Sequence, residues 1–130
     1  MFIDTSVVVA ILSGEADAAD FARRIEDAPT NMTTALVVLE AVMRLSTKLA
    51  IEPMVVEAAV AAFLHEAGIE IVPIDGAAGS LAVRAFAAYG KGRGHPAQLN
   101  LADCLSYACA KQHGVPLLYK GNDFSRTDLG

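Results

Sequence analysis

Short runs rich in β-branched residues alternate with longer stretches of helical period through all 130 residues. That alternation is the pattern of a parallel sheet covered by helices on both faces. A strand is expected over Met1 to Asp4, then helices over Ser6 to Leu12 and Glu15 to Asp27, and a second strand over Asn31 to Thr34. The next stretch turns helical through about Leu49, with Leu36, Leu39, Met43 and Ala50 supporting the period. Pro53 suits the first turn of a helix over Met54 to Glu66, which Gly68 ends. Ile69 to Ile74 read as an apolar strand interrupted by Glu70 and Pro73, and the proline suggests an edge position or the strand's end. Asp75 caps a helix from Ala77 to Tyr89. A further helix begins near Asn100 and stops at Gly114, and Val115 to Tyr119 form the last strand. Between these helices "GKGRGHPAQ", residues 90 to 98, reads as a mobile loop rich in glycine and basic side chains. No repeat or linker divides the chain, and its length fits one domain over residues 1–130.

Composition narrows the function. With 54% apolar and 19% charged residues the chain is far from a disordered composition. No apolar run approaches the roughly 18 residues that cross a bilayer, and no basic segment precedes an apolar one at the start, so a cytoplasmic protein without a membrane partner is expected. Cys104 and Cys109 are five positions apart on one helix, point to different faces, and read as small core residues. A net charge of −5 argues against a protein that wraps nucleic acid with a broad basic surface. It leaves room for an enzyme that meets nucleic acid through metal ions held by carboxylates.

Four acids stand in unusual settings: Asp4, Glu40, Asp103 and Asp123. Each has an ordinary explanation. Asp4 can cap the first helix; Glu40, within "LVVLEAVMRL", can pair with Arg44 one turn on. Asp103 can close a capping box with Asn100, and Asp123 can serve a turn after Gly121 and Asn122. Their joint placement points further. Ligands of doubly wound sheets sit beyond the carboxyl ends of the strands. Asp4 and Asp123 follow strands, Asp103 opens a helix, and Glu40 lies early in the helix after the second strand. Two unit charges about 4 Å apart repel by roughly 4 kcal/mol at an effective dielectric near 20. Hard divalent cations with oxygen ligands are the natural offset, and no cluster of histidine or cysteine suggests zinc.

"FIDTS" at residues 2 to 6, the isolated Glu40, "NLADC" at 100 to 104 and "LLYKGNDFSRTDL" at 117 to 129 together resemble the PIN-domain ribonuclease toxins called VapC, in order and spacing over essentially the whole chain. The resemblance implies a three-layer α/β/α domain around a central parallel sheet. It also implies an endoribonuclease dependent on Mg²⁺ or Mn²⁺, the toxin of a type II toxin–antitoxin module, hydrolysing RNA phosphodiester bonds with a metal-activated water. Transfer RNA is the substrate class it suggests, with a VapB-type antitoxin as partner and a homodimer as the assembly. Asp4, Asp103 and Asp123 match the family's metal ligands, and Glu40 its further catalytic acid, acting as a ligand or orienting the water. The hydroxyl that follows the first Asp is matched by Thr5 or Ser6, and both are candidates for contacting substrate. Where some members have another acid near the last motif this chain has Asn122, which with Lys91, Arg93 and His95 is a candidate for contacting substrate. The alternative is a receiver-like phosphoacceptor domain using Asp4, Asp75 and Lys120; it leaves Glu40 and Asp103 without a role.

Overall fold

The computed structural model describes residues 1–130. Four strands, β1 (Phe2–Ile3), β2 (Asn31–Thr33), β3 (Ile69–Ile71) and β4 (Leu117–Leu118), form one parallel sheet in the order β3-β2-β1-β4. The helices are α1 (Thr5–Leu12), α2 (Ala18–Asp27), α3 (Ala35–Leu49), α4 (Pro53–Glu66), α5 (Gly76–Tyr89) and α6 (Leu101–His113). β1 is paired on both sides. The Phe2 and Asp4 N–H groups donate to the Pro116 and Leu118 carbonyls at 2.8 and 3.0 Å, and the Met32 N–H donates to the Met1 carbonyl at 3.0 Å.

Successive side chains of a strand point to opposite faces. Phe2 and Ile3 are both 0% exposed, so the sheet is covered on both sides, as a three-layer α/β/α fold requires. The chain moves from β1 through β2 to β3 in one direction and returns to place β4 on the other side of β1. Strand order therefore reverses beside β1, and in open α/β sheets ligands bind at such a point, beyond the carboxyl ends of the strands.

Local chemistry sets most helix ends. Asp4 caps α1, Thr34 caps α3 and Asp75 caps α5 through side-chain oxygens that accept from N–H groups of the first turn. Asn100 and Asp103 form a reciprocal capping box on α6. Gly114 ends α6 with φ +62°, a left-handed conformation that glycine adopts without penalty.

Several boundaries differ from the sequence reading. β1 is confined to Phe2–Ile3 because Asp4 already serves as the cap, and α1 starts at Thr5. α2 starts at Ala18 and not at Glu15, because Glu15 to Asp17 form a turn whose acids pair with Lys120. β3 lies at the sheet edge and ends at Ile71. The Val72 N–H still reaches the Thr33 carbonyl, after which Pro73 has no N–H to continue the ladder. β4 is limited to Leu117–Leu118. The glycine-rich loop is clipped at its neck, where the Lys91 N–H donates to the Leu99 carbonyl and the Leu99 N–H to the Tyr89 carbonyl, both at 2.9 Å.

The expected helix through Leu49 is present as α3, and the structure decides which of its apolar stripes is buried. Leu39 and Met43 are 56% and 61% exposed, whereas Val37, Ala41 and Leu45 face the core. Both sets have helical spacing, so period alone did not tell them apart. Leu45→Ala is expected to destabilise the fold by about 2–5 kcal/mol, whereas Leu39→Ala changes stability by no more than about 0.5 kcal/mol. Urea unfolding of the two variants checks this assignment, which equal losses would reverse.

Candidate active site

Asp4 sits at the end of β1, 6% exposed. Its Oδ2 accepts from the Ser6 N–H at 3.1 Å and the Ser6 hydroxyl at 2.7 Å. The Ser6 Oγ in turn accepts the Lys120 N–H at 2.9 Å. One hydroxyl thus joins the end of β1, the first turn of α1 and the segment leaving β4. Those bonds fix Asp4 in one orientation and leave Ser6 committed within the protein. Thr5, 2% exposed, turns inward, and its Oγ1 has no hydrogen-bond partner. Of the two hydroxyls proposed to meet substrate, Thr5 lies below the surface and Ser6 acts first as a holder of Asp4.

Asp103 occupies the first turn of α6, 8% exposed. Its Oδ2 accepts the Asn100 N–H at 3.1 Å, while the Asn100 side chain accepts the Asp103 N–H at 2.8 Å. The capping box is real, and the carboxylate it holds also lies within the field of the other three acids. Burial pushes the Asp103 carboxyl up to about 7, against the lowering bond from Asn100, and the charges of Asp123, Asp4 and Glu40 push it in the same direction. Asp103 on α6 therefore lies within the field of three acids that come from β1's end, α3 and the turn beyond β4. Glu40 is half-buried on α3, and Asp123 is exposed. Arg44 forms no ion pair with Glu40; the ion pairs of the chain lie elsewhere.

No three acid, histidine or cysteine side chains close into a cage as they stand. The set is nonetheless suited to a hard cation: oxygen donors only, no basic side chain paired to them, and one carboxyl pushed toward protonation by burial first and by its acidic neighbours second. Mg²⁺ takes one or two carboxylates and completes its shell with water and phosphate oxygens. The residues fit such an ion.

Lys91 and Arg93 are exposed on the glycine-rich loop, with the Arg93 guanidinium 5.6 Å from the Phe86 ring centre. His95 packs edge-on against Tyr89, and its Nδ1 accepts the Ala97 N–H at 3.0 Å. Asn122 is exposed beside Asp123 and its carbonyl accepts from Ser125. Asp75 lies away from the acids. It caps α5 and binds the Gln112 amide at 2.9 Å, near the far end of α6 from Asp103. The Lys120 ammonium is engaged by Glu15 at 2.7 Å and Asp17 at 3.1 Å. Asp4, Asp75 and Lys120 do not converge, which removes the receiver-like alternative.

The family model of the PIN domain matches residues 1–129. A VapC ribonuclease of Rhizobium meliloti is 43% identical, covering 99% of each chain. The chain belongs to the VapC group of the PIN-domain family. Ribonuclease VapC42 of Mycobacterium tuberculosis is 38% identical over 99% of this chain and 96% of its own. Two solved structures share the fold. One is VapC20 of Mycobacterium tuberculosis, described as a sarcin–ricin loop cleaving toxin, with TM-score 0.70, 20% identity and coverage of 95% and 92% of the two chains. The other is a toxin–antitoxin complex from Klebsiella pneumoniae, with TM-score 0.71, 17% identity and coverage of 98% and 92%.

Two groups of the VapC chain escaped sequence reasoning. Glu15 and Asp17 reach Lys120 across more than a hundred residues, so no local spacing signals the pair. Asp128 receives hydrogen bonds from Tyr107 and from Lys111, the latter at 2.8 Å, tying the tail to α6. A folded Asp103 holds its proton more tightly than an unfolded one between about pH 4 and 7. Its ionisation therefore opposes folding, and stability from this group is lost as pH rises through that window. In cation-free protein the unfolding free energy of Asp103→Asn should gain on the wild type by roughly 1.4 kcal/mol per pH unit there. Parallel denaturation curves at pH 4.5, 5.5 and 6.5 measure it; a constant difference would refute the strained carboxyl.

Proposed function

We propose that this chain is an endoribonuclease that uses Mg²⁺ or Mn²⁺, the toxin of a type II toxin–antitoxin module. The observation that supports the reading is that Asp103 lies within the field of Asp123, Asp4 and Glu40, with Asp4 at the point where strand order reverses and no basic side chain paired to any of the four. Close relatives named as VapC ribonucleases support the same chemistry. A divalent cation supplies the Lewis acidity that eases deprotonation of an attacking water and offsets charge on the phosphate.

Asp4, Asp103 and Asp123 would hold the cation. Asp4 presents a carboxylate already oriented by Ser6, so little reorganisation is left for the reaction. Asp103 must give up its proton to become a ligand, which makes cation affinity rise with pH through about 7. Glu40, half-buried and within the field of the others, is placed to orient the water or accept its proton. Lys91 and Arg93 are free on the surface to contact RNA phosphates, which fix register without reading sequence. His95 and Asn122 are further candidates for substrate contacts.

Transfer RNA is the proposed substrate class, a VapB-type antitoxin the proposed inhibitor, and a homodimer the proposed assembly. The exposed apolar side chains Leu39, Met43, Met54 and Val55 give protein partners surface to cover.

Asp103→Asn and Asp4→Asn are each expected to lower Mn²⁺-dependent cleavage of a transfer RNA preparation by more than about a hundredfold, since even outer-shell changes cost 10–100-fold. Asp75→Asn should cut as the wild type does. Cleavage that survives in both site variants, or that persists in excess EDTA, would sink the assignment. Ribosomal RNA run in parallel tells a different RNA target from a different chemistry. A separate thermal-shift titration with Mn²⁺ should show a midpoint concentration that falls as pH is raised from 6 to 8. A midpoint independent of pH would remove Asp103 from the cation site.

A further inference from the structure

Asp123 is the acid with least support of its own. It is exposed, no intramolecular hydrogen bond holds its carboxylate, and it opens the turn closed by the Ser125 N–H on the Asn122 carbonyl, two residues after Gly121 with φ +96°. Behind it, Phe124 is 1% exposed and packs edge-on against Tyr119, with ring centres 5.3 Å apart. In front of it, Lys120 is fastened twice. Its backbone N–H meets the Ser6 hydroxyl at the first turn of α1. Its ammonium meets Glu15 and Asp17 in the turn that follows the last residue of α1. The side chain therefore lies alongside α1, with both of its ends tied.

Glu15 extends the connection. Its second oxygen lies 3.6 Å from the Lys48 ammonium and accepts the Ser13 hydroxyl at 3.3 Å. Lys48 is on α3, two turns beyond Glu40. The pairing holds the Glu15 carboxyl below and the Lys120 ammonium above their ordinary ranges, as mutual attachment requires. A half-exposed ion pair of this kind adds little to global stability, so its value has to be sought in geometry.

We propose that Lys120 is a positioning residue: through Ser6 at one end and Glu15 with Asp17 at the other, it pins the turn that carries Asp123 to α1 and so sets Asp123 opposite Asp4 and Asp103. The inference rests on the cation site proposed above. It assigns Lys120 no contact with substrate, and it gives Glu15 and Asp17 a part in the site although neither is one of the four acids.

The sign of one measurement separates this from a merely electrostatic role. If Lys120 were only a positive charge near the acids, removing it would tighten cation binding. As a brace, its removal loosens Asp123 and weakens binding. The test is the Mn²⁺ midpoint in thermal-shift titrations of the full chain, with Mn²⁺ alone as probe. Lys120→Met should raise the midpoint by about tenfold or more, the scale of losing an outer-shell support, while the melting temperature in EDTA moves little. The double variant Glu15→Gln/Asp17→Asn should weaken binding similarly. Adding Lys120→Met to it should produce no further loss, because the three groups act as one unit. Lys120→Arg, which can still reach two carboxylates, should restore most of the affinity.

A Lys120→Met midpoint equal to or lower than that of the wild type overturns the brace. So does a wild-type midpoint in the double variant, or losses that multiply in the triple. A wild type that shows no Mn²⁺ response at all would instead overturn the cation site itself, and the brace with it.

Discussion

β1 is the constraint on which the other parts depend. It has two residues, yet it pairs in parallel with a strand on each side and buries both of its side chains completely. A strand with neighbours on both edges and helices on both faces has one place in the molecule, the centre. Because β2 and β3 extend to one side and β4 returns on the other, the residue after β1 is delivered to the point where strand order reverses. That residue is Asp4. Its position follows from hydrophobic burial of Phe2 and Ile3 and from hydrogen bonds to the Pro116 and Leu118 carbonyls, before any chemistry of its own is considered.

Gathering acids at such a point opposes folding, and the structure shows where that opposition is absorbed. Asp4 is held by two donors of Ser6, and Asp103 by the Asn100 N–H and the positive end of α6. Asp103 is still pushed toward protonation by burial and by its three neighbours. Local capping and site chemistry are not rival explanations here. The capping box supplies the bond that keeps a buried carboxylate in place among the other acids. Lys120 and Lys48 are both engaged by Glu15, and neither is paired with any of the four acids.

Much of this was legible in the chain. The alternation of strands and helices, the edge position of the Pro73 strand, the Asp75 cap, the Asn100–Asp103 capping box and the Gly114 stop are local, and local hydrogen bonding decides them. What local pattern could not decide were choices between equivalent arrangements. Leu39 and Met43 have the same helical spacing as a buried stripe, but contact with α1 and α4 buries Val37, Ala41 and Leu45 instead. Glu15 looked like the first residue of a helix, and its pairing with Lys120, distant in sequence, made it part of a turn. Arg44 is one turn from Glu40 and remains apart from it, because a helical spacing permits an ion pair without requiring one.

The sequence by itself determined the period of each element, the caps at its ends, and three carboxylates in positions that follow strands or open helices, with a fourth inside a helix. Those are consequences of side-chain shape and hydrogen bonding within a few residues. Only the tertiary structure decided which end of the sheet each acid faces and how far each is buried. It also decided that Ser6 joins Asp4 to the backbone of Lys120, and that Asp75 lies apart from the acids it could have joined. Those outcomes depend on strand order and on contacts between residues that lie far apart in the chain, where no local preference operates and the packing of the whole core makes the choice.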